Sequence, residues 1–224
     1  MTRAKAWLSW SSGKDSAWAL ETVRREGEIE VVALLTTVNQ VFRRVAMHAV
    51  REELLELQAE AAGLPLVKVP LPWPCPNSAY EKVMAEVVAR ARCEGVTHMI
   101  FGDLFLEDVR RYREDRLAGT GIEPLFPLWG MDTARLAVQM VESGLCATVT
   151  CIDPKKLDPS FAGRRFDGSL LADLPAGVDA CGEYGEFHTF AFAGPMFQRP
   201  LNVETGEVLE RDGFVFADLV PSKL

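Results

Sequence analysis

Apolar residues along the chain fall into short continuous runs, separated by longer segments with helical spacing. Residues 6–10 read as a short strand, and residues 15–26 as a helix closed by Gly27, a natural left-handed terminator. Residues 31–38 are apolar and rich in β-branched side chains, as in a strand covered on both faces. Helical spacing returns over 47–62 through Val50, Leu54 and Leu57, and stops at Gly63 with Pro65 following. A strand over 66–71 comes next. Ser78-Ala79-Tyr80-Glu81 has the form of a capping box opening a helix that runs to 94, before Gly95. Strands over 97–102 and 146–152 bracket a charged helix over 107–117 and a second helix over 132–143.

This alternation predicts an α/β fold, a parallel doubly wound sheet with helices on both faces. After about residue 152 the rhythm changes. Pro, Gly and Asp thicken, and 187–192 alternates like a strand, so a smaller C-terminal α+β region is expected. The expected division is 1–145 and 146–224. Trp73, Phe101, Phe105, Trp129, Phe190 and Phe192 are expected in the core.

Composition narrows the function classes. The 224 residues are 48% hydrophobic and 25% charged, a globular balance with no apolar run long enough to cross a bilayer. A cytoplasmic location is expected, because a signal peptide would remove the phosphate loop described next. Five cysteines without a C-x-x-C pair exclude a zinc knuckle and a thioredoxin-like centre, leaving only Cys151 or Cys181 as candidates for a reactive thiol. A net charge of −8 disfavours nucleic acid as a partner, although Arg110, Arg111, Arg113 and Arg116, or Lys155-Lys156 with Arg164-Arg165, could form a local basic face.

The main chemical signal is Ser11-Ser12-Gly13-Lys14-Asp15-Ser16, between the first strand and the first helix. Small residues let a phosphate approach backbone N–H groups at a helix N-terminus. Lys14 adds positive charge, Ser16 a hydroxyl, and Asp15 a carboxylate suited to Mg²⁺. The string is not a Walker A loop, since Leu8 and Asp15 stand where that motif needs Gly and Ser or Thr. It resembles the S-G-G-K-D-S loop of the ATP pyrophosphatases, with Ser12 in place of a glycine. If that position needs positive φ, the serine is strained.

Three further segments resemble the diphthine–ammonia ligase family. They are Gly102-Asp103-Leu104 with 110–116 and Pro124-Leu125-Phe126-Pro127-Leu128-Trp129; Asp153-Pro154-Lys155 with Phe161-Ala162-Gly163-Arg164; and Cys181-Gly182-Glu183-Tyr184-Gly185-Glu186-Phe187-His188-Thr189. The resemblance implies adenylation of a carboxylate by ATP, release of pyrophosphate, and displacement of AMP by ammonia. In eukaryotic and archaeal members the acceptor is diphthine on an elongation factor. For this chain it implies ATP, Mg²⁺ and ammonia as reactants or cofactors. The carboxylate acceptor, a modified protein side chain being one candidate, is unidentified, and a homodimer is left open.

The implied ATP site is Ser11 to Ser16 with Thr36, Thr37, His48, Gly102 and Asp103. Lys14, Asp15, Glu183 and Glu186 are the catalytic candidates, and Asp15 the metal ligand. Glu183, Tyr184, Glu186 and His188 are expected to meet the acceptor from the C-terminal region. The two glutamates, bracketed by Gly182 and Gly185 on a flexible turn, could orient ammonium or take its proton. His98 reads as structural. A tRNA-modifying enzyme of the same loop class and a nucleotide sensor without turnover are the competing readings.

Overall fold

The continuous apolar runs become the central strands of a parallel sheet. In the computed structural model, which describes residues 3–42, 44–45 and 50–222, β1 (Ala4–Ser9) and β2 (Ile29–Asn39) pair in parallel. A two-residue strand, β3 (Arg44–Val45), pairs antiparallel with β2 at Val38 and Asn39. β4 (Leu66–Leu71), β5 (His98–Ile100) and β6 (Glu123–Leu125) extend the parallel order to β4-β2-β1-β5-β6. The chain winds outward through β2 and β4, then returns to the other side of β1 for β5. The reversal beside β1 is where an open sheet of this kind leaves a crevice beyond its carboxyl ends.

The connecting helices are α1 (Lys14–Glu26), α2 (Glu52–Ala62), α3 (Asn77–Cys93), α4 (Glu107–Leu117) and α5 (Thr133–Glu142). Gly27 and Gly63 take left-handed φ of 72° and 67° and end α1 and α2 as expected. Two expected starts differ. α2 begins at Glu52 because Arg51 is extended, with its guanidinium on Asp218; His48 lies outside the described residues. α3 begins at Asn77 rather than at a capping box. Pro76 occupies the cap position, its carbonyl accepts from Ala79 and Tyr80, and Glu81 reaches across to Arg116.

The C-terminal region is a second, antiparallel sheet. β7 (Cys146–Ile152), β8 (Phe187–Ala193), β9 (Val203–Arg211) and β10 (Phe214–Pro221) are ordered β8-β7-β10-β9, with the short α6 (Gly168–Asp173) alongside. The sequence reading missed the β9–β10 hairpin because β9 is an edge strand that buries almost nothing. One hydrophobic cluster joins Leu8, Trp18, Leu20 and Leu54 to Phe187, Phe190 and Leu219, so α1 packs between the two sheets. A second, on the other face of the first sheet, gathers Trp7, Leu35, Val69 and Met99 against α3. Each fully buried side chain of this size contributes about 1.5–3 kcal/mol. Phe190 and Phe192 are core as expected, whereas Trp73 is exposed and meets Phe42 at the surface. Among the described residues, no helix is long and apolar enough to cross a membrane.

Candidate active site

The phosphate loop lies beyond β1 and leads into α1. Gly13 is extended and caps the helix without a side chain of its own. The cap comes from β8 instead, where Thr189 Oγ1 accepts the Lys14 N–H at 3.1 Å. Ser12 has φ of 70°, the left-handed value foreseen as a strain for serine, and its hydroxyl bonds to the Ser11 carbonyl. The loop is tied down from behind. Ala191 N donates to Ser12 O at 2.9 Å, and the fully buried Gln58 amide donates to Ser12 O at 2.9 Å and Ala191 O at 2.5 Å. Gln58 in turn accepts from the Trp10 indole at 3.0 Å.

Lys14 is nearly inaccessible, with its ammonium 5.4 Å from the ring centroids of both Phe166 and Phe187. It donates to Asp15 Oδ2 at 2.9 Å and to the Cys181 carbonyl. Burial alone would depress this ammonium, but Asp15, aided by Cys181 and Glu183, holds its pKa above the ordinary value, so it stays charged. Burial raises the Asp15 carboxyl while Lys14 pulls it down. Asp15 Oδ1 is buried without a protein partner.

The turn before β8 completes the opposite wall. Asp179 organises it, with its Oδ2 accepting from Cys181 N at 3.1 Å and Glu183 N at 2.9 Å. Asp179 N donates to Glu186 Oε1 at 3.0 Å. Glu183 Oε1 accepts the Leu104 N–H at 2.8 Å, which fastens this turn to the loop after β5. Burial pushes the Glu183 carboxyl up to about 7, reinforced by the charges of Asp15 and Asp103 and opposed by the Leu104 bond and Lys14. A carboxyl titrating near neutrality in a cleft is matched to proton transfer.

Two adjoining cavities open onto this wall. The polar one, of about 220 Å³, is lined by Ser11, Gly13, Lys14, Asp15 and Ser16, by Gly102, Asp103 and Arg113, and by Glu183, His188 and Thr189. The second, of about 430 Å³, is mostly apolar, with Thr36, Thr37, Tyr80, Met84, Val88, Met99 and Tyr112 among its walls. Ser9, Ser11, Phe101 and Arg113 line both. An anion in the polar cavity would face the α1 N-terminus, where helix dipole and backbone N–H groups favour negative charge.

Residues 4–121 match the diphthamide synthase N-terminal domain, and residues 132–217 match the diphthamide synthase C-terminal domain. The chain belongs to the diphthamide synthase family. A diphthine–ammonia ligase of Bos taurus is 27% identical over 235 residues, covering 92% of this chain and 85% of its own length. That of Danio rerio is 27% identical over 242 residues, covering 92% and 89%. The Homo sapiens protein of the same name is 26% identical over 235 residues, covering 92% and 85%.

In this diphthamide synthase family member the fold brings Ser11, Gly13, Lys14, Asp15, Ser16, Gly102, Asp103, Glu183 and His188 to one cavity. Thr36 and Thr37 line the other, with Thr36 Oγ1 donating to Trp10 O at 2.7 Å. Ser12 is fully buried behind the loop. Glu186 is also buried, off the cavity wall, holding Asp179 while its Oε2 has no partner. Tyr184 stands outside the polar cavity, exposed and edge-on to Phe105 at 5.1 Å.

Burial disfavours the thiolate at both candidate cysteines. It pushes Cys151 up to about 12 and raises Cys181 as well. Among the arginines of α4, Arg110 lies over Phe126 and Trp129 and Arg116 pairs with Glu81, while Arg111 is exposed. Sequence reading missed Gln58, Thr189 and Arg113. A glutamine on an apolar helix face was the one visible hint, because a buried amide needs partners.

Proposed function

We propose that this chain is an ATP-dependent ligase of the diphthamide type, joining ammonia to a carboxylate in an amide with release of AMP and pyrophosphate. The reading rests chiefly on the two joined cavities, an apolar one sized for a nucleoside and a polar one at the α1 N-terminus suited to its phosphates. The names of the relatives supply the ammonia-ligase chemistry, and the acceptor carboxylate is left as a class.

In this reading Gly13 and the first turn of α1 cradle the phosphates while Lys14 counters their charge. An oxygen of the acceptor carboxylate attacks the α-phosphorus. A new O–P bond forms as the bond to the bridging oxygen breaks, and its electron pair leaves on pyrophosphate. Ammonia then attacks the acyl carbon, and AMP departs with the C–O pair. Ammonium must shed a proton before it can attack. Burial pushes Glu183 up to about 7, which suits it to take that proton, and the proton lost from the nitrogen after attack leaves to water.

The residues also suit Mg²⁺. Asp15 lines the polar cavity, and its Oδ1 is a buried oxygen without a protein partner. Bound there, the ion would neutralise phosphate charge. Among the described residues no three metal-binding side chains converge, so its remaining ligands would be phosphate and water.

The test is to incubate the protein with α-labelled Mg-ATP and ammonium, with and without cell extract, and to separate AMP from ADP. Acceptor-dependent AMP and pyrophosphate, lost in Glu183→Gln, is the expected result. ADP as product would refute α–β cleavage. Tight ATP binding without turnover in any extract would refute the ligase and leave a nucleotide sensor.

A further inference from the structure

The junction between the two cavities is formed by Ser9, Ser11, Phe101 and Arg113, and Arg113 is its only charged member. Arg113 enters from α4 and is held on several sides. Its Cζ lies 4.8 Å from the Phe101 ring centroid, its Nε is 3.4 Å from Asp103 Oδ2, and the Tyr80 hydroxyl lies alongside. Two neighbouring arginines are committed elsewhere, and Arg111 is exposed and lines neither cavity. Arg110 is 4.9 Å and 4.7 Å from the centroids of Phe126 and Trp129, and Arg116 bonds to Glu81 at 2.6 Å. Lys14, the other cation of the polar cavity, is buried and already bonded to Asp15 and the Cys181 carbonyl.

Connectivity decides what must lie at that junction. A nucleotide with its nucleoside in the apolar cavity and its outer phosphates at the α1 N-terminus can only pass its α-phosphate between them. A guanidinium fork matches two non-bridging phosphate oxygens, and its orientation here is fixed by Asp103 and Phe101 before any ligand arrives. Preorganised donors aimed at a centre of growing charge lower the barrier without reorganising.

We infer that Arg113 grips the α-phosphate and stabilises the charge on its non-bridging oxygens while the carboxylate attacks and pyrophosphate leaves. The assignment rests on the nucleotide reading above and adds a catalytic residue to it. Asp103 is thereby a positioning residue that acts through Arg113.

Equilibrium dialysis of the full chain against adenosine, AMP and ATP separates the possibilities, with Arg113→Met and Arg113→Lys beside the unmodified protein. Arg113→Met should weaken AMP and ATP by roughly ten- to hundredfold and leave adenosine within about twofold. Arg113→Lys, which keeps the charge and loses the fork, should fall between. Equal weakening of all three ligands would make Arg113 a structural wall residue and overturn the inference, as would unchanged AMP affinity in Arg113→Met. Should Arg113→Met not fold, the contrast between AMP and adenosine in Arg113→Lys decides on the same criterion. If the unmodified chain binds none of the three, the nucleotide reading itself fails and the role of Arg113 fails with it.

Discussion

Glu183→Gln should make the protein more stable at pH 8 and leave it little changed at pH 5. The amide keeps the shape of the side chain and can still accept the Leu104 N–H that the carboxylate accepts at 2.8 Å. What it removes is a charge that folding brings close to Asp15 and Asp103 in a partly buried site. The carboxyl rises from an ordinary 4.5 to about 7 on folding, so below 4.5 both states carry the proton and nothing is lost. Between 4.5 and about 7 the folded state holds a proton that the unfolded state has released, so stability falls as pH rises; above 7 the loss is complete. An interval of about 2.5 at 1.36 kcal/mol each gives about 3.4 kcal/mol as an upper limit. Glu183 is only partly shielded from water, and screening reduces this to about 1.5–2 kcal/mol. Urea unfolding of both proteins at pH 5 and pH 8 measures the difference directly, since titrating groups not coupled to Glu183 cancel. A variant effect that is the same at both pH values, or larger at pH 5, would refute the electrostatic account of this site.

Three other substitutions probe the frame of the site. Gln58→Leu should cost about 2–5 kcal/mol in urea unfolding, because it strands the Trp10 indole and the Ala191 carbonyl in the core. Gly102→Ala would set a Cβ about 3.0 Å from the backbone of Asp15 and Ser16. Overpacking of about 1–3 kcal/mol, offset by about 0.4–1 kcal/mol from a stiffer unfolded chain, should lower thermal stability and weaken ATP binding together. A variant as stable and as tight-binding as the parent would contradict that contact. Thr189→Val removes the hydroxyl that accepts the Lys14 N–H and should destabilise by about 1–2 kcal/mol, with thermal unfolding as the readout.

The sequence carried those features whose causes are local. Gly27 and Gly63 end their helices because a left-handed residue without Cβ suits that position whatever the surroundings. The apolar run of β2 announced a strand buried on both faces, and the Ser-Ser-Gly-Lys-Asp-Ser string announced a tight loop between the first strand and the first helix. For Ser12 the sequence carried only the condition that positive φ would strain it, and the turn does hold it at φ of 70°. Local reading failed where a neighbour in sequence lost to a distant one. The expected capping box gave way to Pro76 and to Arg116 from α4. Glu186, one step along a motif from Glu183, is turned inward to hold Asp179, while Glu183 reaches the cleft.

Only the tertiary structure joined the halves of the site. Thr189 caps a helix that begins 175 residues earlier, and Gln58 secures a loop 46 residues before it, so neither pairing has a periodic signature. The pKa of Glu183 likewise depends on burial and on two carboxylates from other stretches of chain, Asp15 and Asp103, which only folding brings near it. Strand patterns and the glycine ends of helices are properties of a few successive residues, and the chain carries them locally. Burial, charge proximity and cavity shape are sums over residues that only folding makes neighbours.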